Sequence, residues 1–370
     1  MKFSCERALL LDAINTASRA VPSKTSVPAL EGLLIHAEGD LTISGFDTST
    51  GIRTKVSAEV TEAGEIVLGA RLFGDIVRRM PDDVITFVSD AKNTVKLFCG
   101  DAHFDIAGIS ADSYPELPEV EDTYSVSIPQ DVLRSMIAQT IFSVSTNDAR
   151  PVHTGSLFEV NDQGLTVVAV DGFRLALRRE KIERMEGGAF TFIAPGSALS
   201  EVEKICNDID ELVTIILGNR HILFEIGETQ LICRRIEGDF LDYKSAIPRN
   251  NPISLIIDTK AMIESLDRVS VIINEKVKSP VRCIFKDDKV LLSAKTGSGE
   301  AKDTCVVAGS GGDLEIGFNN RYLSEALRFA PAQSVKMELN TGISPCVIVP
   351  TEGEENFIYM VLPILLRERQ

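Results

Sequence analysis

The stretch GLTVVAVDGFRLALRR, residues 164–179, decides how this chain is organised. It is typical of a strand that ends at an Asp-Gly turn and is followed by a second strand. The same pattern occurs earlier as DLTISGFDTSTGIRT, residues 40–54, where Asp47 takes the place of Asp171. A third, weaker copy, SPVRCIFKDDKVLLSAKTGSGEA, occupies residues 279–301 and has Thr296 at this position. The copies are 124 and 125 residues apart, close to one third of the 370-residue chain, so the repeat period fills the sequence.

Helical segments repeat in step with this pattern. A short strand leads into an amphipathic helix in KFSCERALLLDAINTASRAV (2–21), VSIPQDVLRSMIAQTIFSV (126–144) and LIIDTKAMIESLDRVSVII (255–273). Apolar residues recur at helical spacing in each segment, which predicts one buried face. A second helix, followed by a new strand, is predicted in ARLFGDIVRRM (70–80), GSALSEVEKIC (196–206) and NRYLSEALRFA (320–330).

Each third of the chain is therefore expected to hold two helices and about eight short strands in an α+β fold. The proline-rich stretches PELPEVEDTY (115–124) and IPRNNP (247–252) are typical of linkers. We therefore expect three similar tandem domains, at residues 1–121, 122–249 and 250–370. A solenoid is the alternative, but solenoid units are roughly 20–50 residues long, much shorter than this period.

Three similar domains without an obvious active site suggest a crescent or a ring. Domains joined head to tail leave two unlike free ends, and contact between such ends can close a ring. If the helices of each domain point inward and the sheets lie outside, the sheet edges can pair across domain boundaries. That pairing would protect edge strands that are otherwise prone to aggregation.

Composition limits the environment and the partners of the protein. A net charge of −16 argues against tight, enveloping contact with phosphates, although a local stripe of Lys and Arg remains compatible with it. Seven scattered cysteines without a CxxC pair indicate buried thiols in a reducing compartment. The charged N-terminal segment is not typical of a signal peptide, and no apolar run reaches the roughly 18 residues of a membrane helix. We expect a soluble, cytoplasmic protein.

Catalytic sequence motifs are missing. The chain has no GxxxxGK[ST], HExxH or CxxC motif and no GxGxxG between a strand and a helix. Cys99 and His103 lie on strand-like segments, which does not favour a nucleophile–base pair. Asp47 and Asp171 recur at equivalent places, but an aspartate at a strand end is most often a turn residue. We expect a non-enzymatic protein with no catalytic residue, metal or cofactor.

Short motifs in all three thirds resemble one known family, the bacterial sliding clamps, which are the beta subunits of DNA polymerase III. The motifs are MKFSCER (1–7), SVPALEGLLI (26–35), ARLFGDIVRRMP (70–81), DSYPELP (112–118), VAVDGFRLA (168–176), EGDFLDYKSAIP (237–248), INEK (273–276), EIGFNNRYL (315–323) and YMVLPI (359–364). The resemblance implies a head-to-tail homodimer whose six domains surround duplex DNA, without sequence preference. It also implies a processivity role, in which the DNA polymerase III alpha subunit, the clamp loader, other polymerases and repair proteins bind through short peptide motifs.

Two other classes of protein stay open on the residues alone. One is a three-domain scaffold that never encircles DNA, and the other is a nucleic-acid processing subunit with an active site that the motifs do not reveal. Retention on circular but not on linear DNA would distinguish a clamp from both.

The resemblance also implies functional residues. Positions that match the DNA contacts of the family are Lys24, Arg71, Arg78, Arg79, Arg150 and Lys204. Positions that match its dimer contacts are Phe104 and Ile106 on one side and Val271 and Ile272 on the other. The partner-peptide pocket, expected between the second and third domains, matches His153, Val170, Gly172, Arg174, Leu175, Leu241, Ala246, Tyr322, Met360, Val361, Leu362, Pro363 and Ile364. A solvated charge or ordinary core packing is the alternative for each residue.

Several positions depart from the family pattern. His153 stands where the family commonly has Leu, Leu241 where it often has Pro, Ser245 where Arg is usual, and Phe173 where His is usual. The terminal LLRERQ runs past the usual end. We expect His153 at the rim of the pocket, and we expect these departures to affect the affinity for partners more than the location of the pocket.

Overall fold

The computed structural model describes residues 1–121, 123–273, 279–309, 312–353 and 355–366. Residues 274–276 of the INEK motif and residues 367–370 of the terminal LLRERQ lie outside the described residues.

The first third of the chain has the strands and helices that the sequence predicts. Its strands are β1 (Lys2–Glu6), β2 (Gly32–Glu38), β3 (Asp40–Phe46), β4 (Thr50–Val56), β5 (Glu59–Glu62), β6 (Gly64–Gly69), β7 (Val84–Ser89), β8 (Thr94–Cys99) and β9 (Ala102–Ala107). Its helices are α1 (Arg7–Ala17) and α2 (Ala70–Arg79).

The middle third repeats this order of elements. Its strands are β10 (Tyr124–Pro129), β11 (Gly155–Asn161), β12 (Gly164–Val170), β13 (Arg174–Glu180), β14 (Arg184–Glu186), β15 (Phe190–Pro195), β16 (Leu212–Leu217), β17 (His221–Ile226) and β18 (Thr229–Arg234). Its helices are α3 (Gln130–Ala138) and α4 (Gly196–Ile205).

The last third follows a short linking helix, α5 (Tyr243–Ala246). Its strands are β19 (Ile253–Asp258), β20 (Val281–Lys286), β21 (Lys289–Thr296), β22 (Gly299–Val306), β23 (Leu314–Phe318), β24 (Ser334–Leu339), β25 (Cys346–Pro350) and β26 (Phe357–Val361). Its helices are α6 (Thr259–Ser270) and α7 (Asn320–Arg328).

The named strands of the described ranges form four antiparallel sheets, with orders β5-β1-β7-β8-β9, β14-β10-β16-β17-β18-β4-β3-β2-β6, β15-β11-β12-β13-β26-β25-β24-β19 and β22-β21-β20-β23. The two longest sheets each join strands from different thirds, because β18 pairs with β4 and β26 pairs with β13. The prediction that sheet edges pair across domain boundaries is therefore confirmed at both internal boundaries.

The chain divides into two compact units. The first comprises residues 1–134, 183–188 and 197–235, and the second comprises residues 135–182, 189–196 and 236–370. Each unit thus holds one outer third of the chain and the part of the middle third whose strands complete its long sheet.

Each unit has an apolar core where helices cover sheet faces. In the first unit α1 buries Leu10 and Ile14 against a core that includes the stacked rings of Phe3 and Phe87. In the second unit α6 buries residues at helical spacing, such as Met262, in the corresponding way. The buried helical faces that the periodicity predicts are therefore present.

The repeated Asp-Gly or Asp-Thr step is a turn, as the sequence analysis predicts. Asp47 Oδ1 accepts hydrogen bonds from the backbone N–H groups two and three positions further on, at 2.8 and 2.6 Å. Asp171 Oδ1 makes the same two bonds at 2.9 and 3.1 Å. Both carboxylates are thus used to fix the chain reversal between two strands.

A close approach in the first unit gives a test of this packing. Gly45 on β3 lies so near the end of α1 that an added Cβ would stand 2.1 Å from the Ala17 carbonyl oxygen. We expect Gly45→Ala to force the strand and helix apart and to lower stability by about 1–3 kcal/mol. The first melting transition in calorimetry should move down by several degrees, whereas Gly69→Ala, which meets no atom within 4 Å, should leave it nearly unchanged. Equal melting of the two variants would contradict this account.

Candidate functional site

The most buried charged side chain at the predicted pocket is Arg174, at the start of β13. Its side chain is 5% exposed and its Nε donates to Asp171 Oδ2 at 2.9 Å. Its Nη1 donates to the carboxylate of Glu325 on α7. Burial raises the pKa of Glu325, but hydrogen bonds from Arg174 and Arg321 outweigh burial and hold that pKa below its usual value. The guanidinium is thus paired on two sides, as a buried charge requires.

Aromatic rings hold Arg174 from other directions. Its Cζ lies 4.5 Å from the ring centroid of Tyr322 and 5.4 Å from that of Phe142, a cation–π arrangement. Phe142 stacks on Phe329 at 4.8 Å, and Tyr322 stacks on Phe173 at 6.1 Å. Phe173 is 59% exposed, so an aromatic surface continues from the buried guanidinium out to solvent.

A cleft of about 640 Å³ opens beside this cluster. Its lining residues are Ile141, Phe142, Val144, Ser145, Thr146, Asn147, Ala149, Arg150, His153, Asp171, Gly172, Phe173, Arg174, Arg321 and Tyr322. Four of the residues predicted for the pocket are brought together here: His153, Gly172, Arg174 and Tyr322. Gly172 has φ +90° and no atom near its missing Cβ, so the backbone is accessible at this point.

His153 is buried, which corrects the expectation that it lies at the rim. Its residue is 7% exposed, and its ring meets Phe240 edge to face at 5.9 Å. Burial, followed by the positive charge of Arg150, lowers the pKa of His153, while Asp171 acts in the opposite direction. The imidazole is therefore neutral at pH 7 and forms part of the wall, because its pKa is below the usual value of about 6.5.

An apolar cluster adjoins the cleft through Phe240. It contains the predicted pocket residues Val170, Leu175 and Met360, with Leu362 packed against it. Phe240 packs on the same cluster and also touches His153, so cleft and cluster are contiguous. We call the two together the cleft-and-face surface.

Four other residues predicted for the pocket belong neither to the lining of the cleft nor to the apolar cluster. Leu241 is exposed, and Ala246 is half-buried at the end of α5. Pro363 is half-buried, and Ile364 donates its backbone N–H to the Gly317 carbonyl at 2.7 Å.

Val361, another residue predicted for the pocket, lies on the opposite face of β26 from Met360. It is fully buried in the other core cluster of the second unit, with Tyr359, and not in the cluster of Met360. Successive strand residues point to opposite faces, so Val361 and Met360 cannot wall the same surface.

The cations predicted to contact DNA lie mostly on the first unit and are partly paired with carboxylates. Arg78 and Arg79 both reach Asp75, at 3.0 and 3.3 Å. Lys204 forms an ion pair with Glu201 at 2.7 Å, and Arg19 forms a second ion pair with the same carboxylate. Arg71 and Arg78 line a cleft of about 630 Å³ together with Asp75, whereas Lys24 is exposed. Arg150 is separate, since it lines the cleft of Arg174.

The residues predicted for the dimer contact are more exposed than core residues. Phe104 on the edge strand β9 is 37% exposed, and Val271 after α6 is 82% exposed. Ile106 and Ile272 are half-buried and pack against the cores of their own units.

Catalytic chemistry has no candidate in the described ranges. No group of three or more His, Cys, Asp or Glu side chains in them could hold a metal ion. All seven cysteines are buried and free. Burial raises the pKa of Cys5 to about 11 and that of Cys206 to about 12, which keeps these thiols protonated. No described helix is both long and apolar enough to span a bilayer.

Sequence reasoning missed several residues of the site. Phe142, Phe240 and Glu325 are essential to the environment of Arg174 and His153, yet none was predicted. Glu325 lies 151 residues from Arg174 in the sequence, and nothing in its helical segment marks it as an ion-pair partner. Phe142 offered a weak signal, as an aromatic residue directly after a predicted helix.

Comparisons with known proteins agree with this architecture. The chain matches the DNA polymerase III beta subunit family in its N-terminal domain over residues 1–118, its central domain over 127–242 and its C-terminal domain over 244–365. The beta sliding clamp of Staphylococcus epidermidis is 30% identical over 98% of this chain and 99% of its own length. That of Bacillus subtilis is 29% identical with the same coverage.

Solved structures show the same likeness. A putative DNA polymerase III beta subunit from Eubacterium rectale has a TM-score of 0.93 and 32% identity, covering 98% of this chain and 99% of its own. A Pseudomonas aeruginosa sliding clamp bound to griselimycin has a TM-score of 0.93 and 28% identity, covering 99% of this chain and 100% of its own.

Three tandem domains of helices and antiparallel sheets, two of whose boundaries are closed by strand pairing, define the class of DNA clamps. The chain belongs to the DNA polymerase III beta subunit family, the bacterial sliding clamps. It is a non-catalytic processivity factor, which encircles duplex DNA and tethers the replicative polymerase to its template. The resemblance, the fold class and the function expected from the sequence are confirmed.

The lowered pKa of His153 predicts a pH-dependent stability. The folded protein binds this proton less readily than the unfolded chain, so the neutral imidazole contributes stability above the unfolded pKa of about 6.5, and this is lost as the pH falls towards the lower folded pKa. Between pH 7.5 and 5.5 the melting temperature of the wild type should fall by a few degrees more than that of His153→Leu. A wild type and a His153→Leu variant with parallel pH profiles would refute the burial argument.

Proposed function

We propose that this sliding clamp receives the peptide motifs of its partners on the cleft-and-face surface. The partners are the DNA polymerase III alpha subunit, the clamp loader, and other polymerases and repair proteins. One observation supports the proposal most directly. A cleft of about 640 Å³ is continuous with an apolar cluster, because Phe240 contacts His153 in the cleft wall and also packs against the cluster. The Pseudomonas aeruginosa relative bound to griselimycin supports ligand binding by this fold.

The surface has two kinds of wall that suit a short peptide. Leu362 offers an aliphatic contact beside the cluster of Leu175 and Met360, and Leu241 offers an exposed one next to Phe240 in the sequence. Gly172 lets a peptide backbone come close, because nothing projects from its Cα. A peptide with a glutamine followed by spaced Leu and Phe residues, as the family's partners carry, would place its apolar side chains on these walls.

The Arg174 cluster makes this site rigid before a peptide arrives. Its guanidinium is fixed by Asp171, Glu325 and two aromatic rings, so the turn at Gly172 and helix α7 are held in one arrangement. A site that is already ordered loses less conformational entropy on binding. Arg174 is thus a positioning residue for the pocket, as it is too buried to be its main contact. Val361 supports the pocket only from within the core.

The affinity should be moderate. Burial of one Leu and one Phe stabilises a complex by about 1.5–3 kcal/mol each, and the ordering of the peptide opposes this. Micromolar dissociation constants follow, which correspond to about 8 kcal/mol.

Substitution of Leu362 tests the peptide surface. Leu362→Asp places a charge beside the apolar cluster, where desolvation of an unpaired carboxylate is unfavourable. We expect binding of a labelled clamp-binding peptide to weaken at least about tenfold, or about 1.4 kcal/mol, in fluorescence anisotropy. The control Ile343→Asp changes an exposed residue of the second unit and should bind as the wild type does. Normal binding by Leu362→Asp would show that partners dock elsewhere.

The DNA-facing residues are proposed to be Lys24, Arg71, Arg78, Arg79 and Lys204. Arg78 and Arg79 pair with Asp75, and Lys204 pairs with Glu201, which supports a weak, exchangeable contact with phosphates that suits movement along the duplex. Counterion release makes such attraction fall with salt, whereas topological linkage does not depend on it. Arg150 also belongs to the DNA contacts that the resemblance implies, but it lines the cleft of Arg174, so it would lie close to a partner peptide bound there.

A homodimer closed through Phe104, Ile106, Val271 and Ile272 completes the proposal. The exposure of Phe104 and Val271 in the single chain supports this role, and Ile106 and Ile272 are half-buried beside them in the sequence. We propose domain boundaries at residues 1–121, 122–249 and 250–370, and a cytoplasmic location, where bacterial chromosomes are replicated. The buried, free cysteines are compatible with that reducing compartment.

Retention on DNA tests encirclement. After loading by a clamp loader, the protein should stay on nicked circular DNA in high salt and leave once the DNA is cut to a linear form. Val271→Asp should abolish retention and give a mass near 40 kDa rather than twice the 40.3 kDa chain in light scattering, because an unpaired charge would be buried at the contact. Ile343→Asp is the matched control. Salt-sensitive binding that ignores DNA topology would indicate a groove binder instead.

A further inference from the structure

A second cavity, of about 310 Å³, lies beside the linking helix α5 in the second unit. We call it the α5 pocket and define it by Val349 and Ile358 on its floor and by Arg179, Arg249 and Glu355 at its mouth. Among the described residues, its lining has no member in common with the cleft of Arg174. The α5 pocket is therefore a separate cavity, and the peptide surface proposed above does not account for it.

The floor of the α5 pocket is apolar. Val347, Val349 and Ile358 are at most 7% exposed, and Ile247 packs against the same cluster. This cluster also contains Met360, so the floor is continuous with the part of the cleft-and-face surface around that residue. Continuity with a surface proposed for polypeptides favours an occupant of the same chemical class.

The internal repeat shows that the fold does not require this apolar floor. At the first boundary between thirds, Gln230 of β18 has the register position that Ile358 has on β26. Its neighbour Glu225 on β17 corresponds in the same way to Val349 on β25. These two polar side chains are joined by a hydrogen bond from Gln230 Nε2 to Glu225 Oε1 at 3.1 Å. The apolar floor is thus a feature of the α5 pocket and not of the repeat.

Some of the charged side chains around the α5 pocket are already paired. Lys244 Nζ lies 3.2 Å from Glu159 Oε1, and Lys336 Nζ lies 3.2 Å from Glu338 Oε1. Tyr243 donates its hydroxyl to the other oxygen of Glu159. These pairs are neutral as units, so they contribute little net charge to the pocket.

Two arginines and one carboxylate remain at the mouth. Arg179, Arg249 and Glu355 are exposed, and none of them forms an ion pair within the part of the chain that the structure describes. The uncompensated charge at the mouth is therefore positive, on a chain whose net charge is −16. Guanidinium groups bind carboxylates through charge-assisted hydrogen bonds that are often bidentate.

Arg179 lies close to α5. Its backbone N–H donates to the Asn356 carbonyl at 2.7 Å, directly before β26. Burial, followed by the carboxylate of Glu159, raises the pKa of Tyr243, whereas the nearby charge of Arg179 acts in the opposite direction. Arg179 thus lies between α5 and the segment that leads into β26, beside the apolar floor.

We propose that the α5 pocket is a second docking site for partner polypeptides, which takes an aliphatic side chain on its floor and the carboxylate of an adjacent Asp or Glu at Arg179 and Arg249. The class of the occupant rests on the proposed function, and its charge rests on the two guanidinium groups without an ion pair. A volume of about 310 Å³ is at the lower end of the roughly 300–1,000 Å³ of ligand pockets, so it suits one or two side chains.

Methyl NMR of the full-length protein with matched peptides tests the pocket. The probes are acetyl-Leu-Glu-amide, acetyl-Leu-Gln-amide and acetyl-Leu-Lys-amide, which differ in the charge beside the leucine. We expect the Glu probe to shift the methyl signals of Val349 and Ile358 with a dissociation constant on the order of millimolar, because a small ligand gains little affinity per atom. The Gln probe should bind about fivefold more weakly, because it lacks charge-assisted hydrogen bonds, and the Lys probe more weakly still. Equal binding of all three probes, or tightest binding of the Lys probe, would overturn the proposal.

The methyl signal of Met360 reports where the probe binds. Met360 belongs to the same apolar cluster but does not line the α5 pocket, so its signal should shift less than those of Val349 and Ile358. A larger shift at Met360 would place the probe on the peptide surface and would overturn a separate site.

Two substitutions of exposed residues test the mouth. Arg249→Gln should remove most of the preference for the Glu probe over the Gln probe, and Glu355→Gln should tighten binding of the Glu probe about twofold, because a like charge is removed. Lys260→Gln takes one positive charge from an exposed position on α6, outside the pocket lining, and should change neither value. An undiminished preference in Arg249→Gln, or weaker binding of the Glu probe to Glu355→Gln, would refute carboxylate recognition.

Leu362→Asp separates this site from the function proposed above. Leu362 does not line the α5 pocket, so the variant should bind the labelled clamp-binding peptide weakly and still show the shifts caused by the Glu probe. Loss of those shifts in Leu362→Asp, or their absence in the wild type, would overturn the α5 pocket as a separate site. Failure of the wild type to bind the labelled peptide, with the shifts retained, would overturn the peptide surface alone.

Discussion

Backbone hydrogen bonding at strand edges is the constraint on which this structure depends. A β-strand with an unpaired edge exposes donors and acceptors that attract other strands. Here β4 and β13 would each be such an edge within its own third, and each is paired by a strand from the next third. The chain thus joins its thirds with ladder bonds, and the linkers near residues 115–124 and 247–252 need only carry the backbone from one third to the next.

The sequence predicts this organisation well because repetition and periodicity are local signals. The period of 124–125 residues, the apolar face of α1 and the turn at Asp171 can all be read within short windows. The pairing of β13 with β26 follows from repetition as soon as edges are assumed to pair. These features are fixed by backbone geometry and by side chains close in sequence, so the structure confirms them.

The details of the site are less predictable because they depend on contacts between distant residues. Arg174 and Glu325 form an ion pair although they are 151 residues apart in the sequence, and no local sequence pattern predicts that pair. The resemblance assigns both Met360 and Val361 to the pocket, but strand alternation turns these two neighbouring side chains to opposite faces of the sheet. His153 is buried by Phe240, whose approach depends on the loop before α5. Which side chains are buried, and on which face of a strand they lie, can be determined only once the strands are assembled into the sheet.

The position of β26 has a consequence for how the second unit is made on the ribosome. Strand β26 lies between β13 and β25, so the central ladder of the sheet cannot form until residues 357–361 emerge. Strand β13 is synthesised about 180 residues earlier, which at 5–20 residues per second means a delay on the order of ten seconds or more. Throughout that delay the apolar strand β13 lacks its neighbour, and the nascent chain is most exposed to mispairing during translation.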